Sequence, residues 1–113
     1  MIYLDPTINL NKFSLLLCTN TTYLSKVINI CFKCNLKTLL NKHRIEYAKE
    51  LLKKEQCDLR NLPQRCGFAS RSSFYAAFMK YEHIAPMDFR AHYMSIEIRK
   101  KIDMEIDNLL TNY

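Results

Sequence analysis

The chain has 113 residues, 49% of them hydrophobic, with one glycine, three prolines and a formal net charge of +6. That length holds one domain, or two very small lobes sharing an element, and the apolar content suffices for a core, which excludes a disordered tail. One glycine excludes a turn-rich all-β fold, and without a run of about 18 apolar residues there is no membrane span, so the expectation is an all-α, cytoplasmic chain with no membrane partner.

In chain order, MIYLDPT is too short to pack alone, and Asp5-Pro6 predicts a turn. Lys12 and Asn11 interrupt the N-terminus before it reads as a signal sequence. Asn9 is placed to cap a helix running to about Leu17, with Leu10, Phe13, Leu16 and Leu17 facing inward. After a break at Cys18-Thr19, Asn20 caps a second helix. Its apolar side is Tyr23 or Leu24 with Val27, Ile28 and Cys31, and its opposite face shows Thr21, Thr22, Ser25, Lys26 and Asn29. Two short helices with a tight connection, the second offering small polar and basic side chains, have the pattern of a helix-turn-helix.

Asn35 to Glu55, NLKTLLNKHRIEYAKELLKKE, is the longest uninterrupted helical pattern. Leu36, Leu39, Leu40, Tyr47 and Leu51 form one apolar stripe, and Ile45, Ala48 and Leu52 form a second, about 150° round at 100° per residue. A helix with two apolar faces reads as a shaft, about 30 Å long, with a small bundle on each side.

Beyond the shaft the layout returns. Asp58 is placed to cap DLRNLPQRC, Gly67 supplies a turn without steric cost, and Ser70 caps SRSSFYAAFMKY. Phe74, Ala77, Phe78 and Tyr81 face inward; Arg71, Ser72, Tyr75 and Ala76 face outward. Ala85-Pro86 starts a last helix with Asp88 in its first turn. From Met94 to Tyr113, Met94, Ile98, Ile102, Ile106 and Leu110 recur every four residues on a charged helix. That seam calls for a partner surface, either by folding back on the chain or as a homodimer through residues 94–113.

Five cysteines are an odd number in mostly apolar contexts, and Cys31-x-x-Cys34 has no second pair at ligand spacing, so neither disulfides nor a metal site is expected. His43, His83 and His92 are scattered. With no glycine-rich phosphate loop, nucleophile arrangement or acidic pair, no enzymatic activity and no cofactor are expected. Charge is more informative. Residues 18–93 carry 13 basic and 6 acidic side chains, a balance of +7, whereas residues 94–113 carry 3 and 4. A basic middle attracts a polyanion, with nucleic acid the commonest for a small helical domain. Two outward helices, beginning at Asn20 and Ser70 on either side of a shaft close to the ~34 Å pitch of B-DNA, suit successive major grooves.

CGFASRSSFYAAFMKYEHIAPMDFR, Cys66 to Arg90, resembles the signature of the AraC/XylS family of bacterial transcription regulators, and HRIEYAKELL, His43 to Leu52, resembles its linker helix. The Gly67-Phe68, Phe74, Phe78, Lys80-Tyr81, Pro86 and Phe89-Arg90 pattern is specific. The resemblance implies two homeodomain-like helix-turn-helix subdomains, 1–34 and 57–93, joined by a linker helix, 35–56, with 94–113 as an amphipathic extension. It implies sequence-specific binding of double-stranded DNA as a regulator's output domain, a nucleoid association, and RNA polymerase as a candidate partner. The implied base-reading positions are Thr22, Ser25 and Lys26 in the first unit and Arg71, Ser72, Tyr75 and Ala76 in the second. Asn20, Thr21, Asn29, Ser70 and Lys80 are the candidate phosphate contacts. Arg44 and Arg90 are candidates for bracing the lobes.

Four positions depart from the family pattern. Lys33 and His83 stand where glycine is usual after each recognition helix, Pro63 replaces alanine within the first helix of the second unit, which predicts a kink or a late start, and Ala76 replaces a side chain that is often polar, which predicts fewer base contacts from the second unit. The competing reading, from another class, is a helical protein-protein interaction module of the same fold that has lost DNA binding.

Overall fold

The computed structural model describes residues 2–54 and 58–112. Among the described residues a 3-10 turn at Ile2–Leu4 precedes six helices: α1 Leu10–Leu16, α2 Thr21–Phe32, α3 Leu36–Leu52, α4 Leu62–Arg65, α5 Arg71–Glu82 and α6 Pro86–Thr111. Helix starts follow from short polar side chains that satisfy orphan first-turn N–H groups. Asn9 Oδ1 accepts from Lys12 N at 2.9 Å, Asn20 Oδ1 from Tyr23 N at 2.8 Å, Asn35 Oδ1 from Thr38 N at 2.9 Å, and Ser70 Oγ from Ser73 N at 3.1 Å.

Asp58 departs from its expected role. It accepts from Arg60 N at 3.0 Å and Asn61 Nδ2 at 3.2 Å, closing a turn, and α4 begins only at Leu62. Pro63 explains the late start: it has no N–H to donate and is tolerated only in a first turn, which is where it now sits.

The two helix-turn-helix units share one register. α2 and α5 are both 12 residues long, and each position of one lies 50 residues from its counterpart, from the caps Asn20 and Ser70 to the C-caps Lys33 and His83. Lys33 and His83 both adopt the left-handed conformation, with φ of 55° and 63°, and their N–H groups close onto Asn29 O and Met79 O. Side chains with a β-carbon therefore occupy a conformation that glycine takes freely. The preceding turns match as well: Cys18, at φ 55°, and Gly67, at φ 89°, each lie two residues past the end of the first helix of their unit.

α3 serves both units, but the division runs along its length. Leu36 and Leu40 join Ile8, Leu24 and Ile28 in the first core, with Leu39 beside them, while Ile45, Ala48, Leu51 and Leu52 join Leu62, Cys66, Phe68, Phe74, Ala77 and Phe78 in the second. Tyr47 and Leu51, expected on one stripe with Leu36, Leu39 and Leu40, pack in the other core. At 17 residues α3 is about 25 Å long, shorter than the expected shaft, whose last residue, Glu55, lies outside the described residues. Leu16 and Leu17 are exposed rather than inward, with Ser14 buried in their place, and Leu24 rather than Tyr23 takes the inward position on α2.

α6 runs 26 residues without a break and leaves the body of the protein behind. Every residue from Ile98 to Asn112 is exposed, so the tail does not fold back. The molecule measures 68 × 29 × 23 Å with a radius of gyration of 19.1 Å, against about 13 Å for a compact chain of this length.

Candidate nucleic-acid interface

Burial of Leu24 and Ile28 on α2, and of Phe74, Ala77 and Phe78 on α5, turns the opposite faces of both helices outward. Thr22, Lys26 and Asn29 are exposed on α2, with Thr21 and Ser25 half-buried; Arg71, Ser72, Ala76 and Lys80 are exposed on α5, with Tyr75 half-buried. The expected site residues therefore form two faces in matched register.

A cleft of about 910 Å³ separates the units and brings part of both faces together. Ser25 of α2 and Ser73, Ala76 and Lys80 of α5 line it, with Lys37 and Asn41 of α3 forming part of its wall. Its charged lining is Lys37, Arg44 and Lys80, with no carboxylate among the described residues. Lys37 and Asn41 were not singled out in the sequence, because a position on the first turns of α3 becomes part of a surface only once both units are set around it. Met79, also missed, is exposed in the second recognition helix.

Arg71 and Tyr75 lie on the other edge of α5, beside a smaller hollow lined by Pro63, Gln64, Pro86 and Met87. The Arg71 guanidinium donates to Tyr75 Oη at 3.2 Å and lies 5.1 Å from the ring centroid, an i,i+4 pair that limits the rotamers of both side chains. The side-chain oxygens of Asn20 and Ser70 are engaged in capping, and Ser70 Oγ also lies 2.7 Å from Ser73 Oγ. What these two termini offer an anion is chiefly their first-turn N–H groups.

The frame behind these faces is held by cations. Arg44 is buried; its Nε donates to Tyr3 O, its second terminal nitrogen donates to Asp5 O at 2.9 Å, and its guanidinium lies 5.7 Å from the Phe68 ring centroid. Burial pulls its pKa below the usual arginine value, and the Asp5 charge offsets part of that. Lys49 bridges Glu82 of α5 at 3.0 Å and Glu46 of its own helix at 3.2 Å. Burial opposes its charge, but the two carboxylates outweigh burial and lift its pKa. Arg90 donates to Leu52 O at 3.2 Å, tying α6 to the end of α3. Cys31 is exposed and Cys34 half-buried, and no group of three or more metal-ligating side chains converges among the described residues.

Two helix-turn-helix units around a shared helix, each presenting an exposed polar recognition face, define a class of nucleic-acid-binding folds. Residues 14–92 match a family model described as a helix-turn-helix domain. The chain belongs to that family, the AraC-type helix-turn-helix domains. It is similar in structure to the C-terminal domain of AraT, a response regulator from Geobacillus stearothermophilus, with a TM-score of 0.75 and 26% identity over 80% of this chain and 74% of that one. It is also similar to the C-terminal domain of the two-component response regulator yesN from Fusobacterium nucleatum, with a TM-score of 0.71 and 28% identity over 78% and 85%. An AraC-type transcriptional regulator from Chromobacterium violaceum shares the fold at 16% identity and a TM-score of 0.69, over 76% and 77% of the two chains. None of the curated proteins compared matches the chain significantly.

Proposed function

We infer that the chain binds double-stranded DNA sequence-specifically, as the output domain of a transcription regulator, by placing α2 and α5 in successive major grooves on one side of the duplex. The observation that carries this reading is the matched register of the two faces, exposed on α2 and α5 and bordering one carboxylate-free cleft. Thr22, Ser25 and Lys26 read bases from α2. Arg71, Ser72, Tyr75 and Ala76 do so from α5, with Arg71 suited to a bidentate contact to guanine and Tyr75 holding it in place. Asn20, Thr21, Asn29, Ser70 and Lys80 position phosphates, joined by Lys37 from the cleft wall.

The test is selection from a pool of random duplexes using the full chain. Enriched sequences should contain two short elements centred about ten base pairs apart, one per recognition helix. A pool that shows no enrichment at low salt contradicts the reading and favours an interaction module that has kept the fold without its DNA activity.

A further inference from the structure

α6 leaves the second unit near Tyr93, and its last four turns, exposed at every residue from Ile98 to Thr111, carry Ile98, Ile102, Ile106, Leu109 and Leu110, each about half or more exposed. At 100° per residue these side chains, with Met94, fall within one face of about 160°, centred near Ile102. The pattern is nearly palindromic about that residue: Ile98 and Ile106 stand four positions to either side, and Met94 and Leu110 stand eight.

The charges in and beside this face choose an orientation. Arg99, at about 60° from Ile102, and Asp103, at about 100°, lie on one side, and Glu105 and Lys101 lie at the same angles on the other; within each pair the residues are four apart. When two such helices pair antiparallel about a two-fold axis, each flank meets its own reversed copy. Arg99 then lies next to Asp103 of the second chain, and Lys101 next to its Glu105. A parallel pair sets each flank against the opposite one: Arg99 lies beside Lys101 and Asp103 beside Glu105, four repulsions in the dimer against two attractions between Asp103 and Lys101, whereas antiparallel pairing gives four attractions against two repulsions, Asp103 and Lys101 each beside its own copy.

We propose that the tail is a homodimerisation element that pairs antiparallel with a second copy of this chain, with Ile102 meeting Ile102 on the two-fold axis. The two DNA-binding bodies then sit at opposite ends of a shared two-helix strut. A contact of four turns per helix is at the small end of specific interfaces, so the dimer forms reversibly, on the order of micromolar concentration. This inference does not rest on the DNA reading, and its test uses no DNA.

Sedimentation equilibrium of the full chain across about 1–200 µM, with helicity followed by circular dichroism, tests it. The wild type should pass from monomer to dimer. Ile102→Asp should stay monomeric without losing helix content. Arg99→Glu should weaken the dimer about tenfold, because it sets two like-charged contacts symmetrically across the axis, and the double swap Arg99→Glu with Asp103→Arg should restore it. Parallel pairing predicts the opposite sign for Arg99→Glu, which would then face Lys101 and tighten the dimer. A chain that is monomeric throughout overturns the proposal. So does a dimer that Arg99→Glu strengthens or leaves unchanged.

Discussion

The guanidinium of Arg44 lies 5.7 Å from the ring centroid of Phe68, so a side chain midway along the shared helix rests on the turn that precedes the second recognition helix. The same guanidinium holds Tyr3 O and Asp5 O, which draws the N-terminal segment against both. One buried cation thus joins the N-terminal segment, the shared helix and the second unit.

Arg44→Ala should destabilise the fold by roughly 3 kcal/mol, because it leaves two carbonyl oxygens without their charged donor and opens space against Phe68. Arg44→Lys should recover only part of this, since an ammonium lacks the planar fork that reaches both oxygens. Urea denaturation of the three proteins measures the series. Equal stability across it would show that the bridge is dispensable.

Gly67 and His83 should respond to substitution with opposite signs. A β-carbon at Gly67 would lie 2.7 Å from Tyr3 O and 2.8 Å from Leu4 Cα, at φ +89°, so Gly67→Ala should cost at least about 2 kcal/mol. His83 is already in the left-handed region at φ 63° without being glycine, so His83→Gly should stabilise by about 0.5–1 kcal/mol. Thermal melts that moved both variants in one direction would refute the account of these two turns.

The Lys49 to Glu82 bridge predicts a loss of stability at alkaline pH. The folded pKa of Lys49 lies above its ordinary 10.5, so the bridge contributes fully below pH 10.5, and that contribution disappears as pH rises through the folded value. Melting temperatures of wild type and Lys49→Met between pH 8 and 11.5 should therefore converge toward the alkaline end. A difference constant over that range would exclude a contribution from the charge.

Much of this fold is legible locally. Asn20, Asn35 and Ser70 mark helix starts because a short acceptor before an amphipathic run has one obvious use, and Phe74 and Phe78 fix the inward face of α5 by spacing alone. Asp58 misleads for the same reason: two donors nearby, Arg60 N and Asn61 Nδ2, compete for its carboxylate, and Pro63 sets the helix start instead. In α1, only two turns long, periodicity is too short to decide that Leu16 and Leu17 face solvent. Arg44 is legible only as a candidate brace, since its acceptors are 41 and 39 residues away, and the close approach of Tyr3 and Leu4 to Gly67 is not legible at all. The outward register of α2 and α5 follows from their caps, whereas the cleft that Lys37 shares with Lys80 follows from tertiary placement.

The second recognition helix carries two kinds of contact. Lys80→Ala should weaken binding about equally on all duplexes and lower the salt slope by about one, as expected for a phosphate contact. Arg71→Ala should cost about 1–3 kcal/mol on the selected site and relax preference at one base pair. Tyr75→Phe removes the hydroxyl that accepts from Arg71 but keeps the ring beneath it, so it should lie between wild type and Arg71→Ala. Competition titrations with single-base variants of the selected site distinguish these outcomes, and a sequence-independent loss for Arg71→Ala would place that side chain on the backbone instead.

The most direct measurement is fluorescence anisotropy of the full chain on a labelled duplex of about 25 base pairs at several salt concentrations. The two cations assigned to phosphates, Lys37 and Lys80, predict a slope of log affinity against log salt of about −2. Absence of binding at low salt, or binding that salt does not weaken, would contradict DNA recognition by α2 and α5.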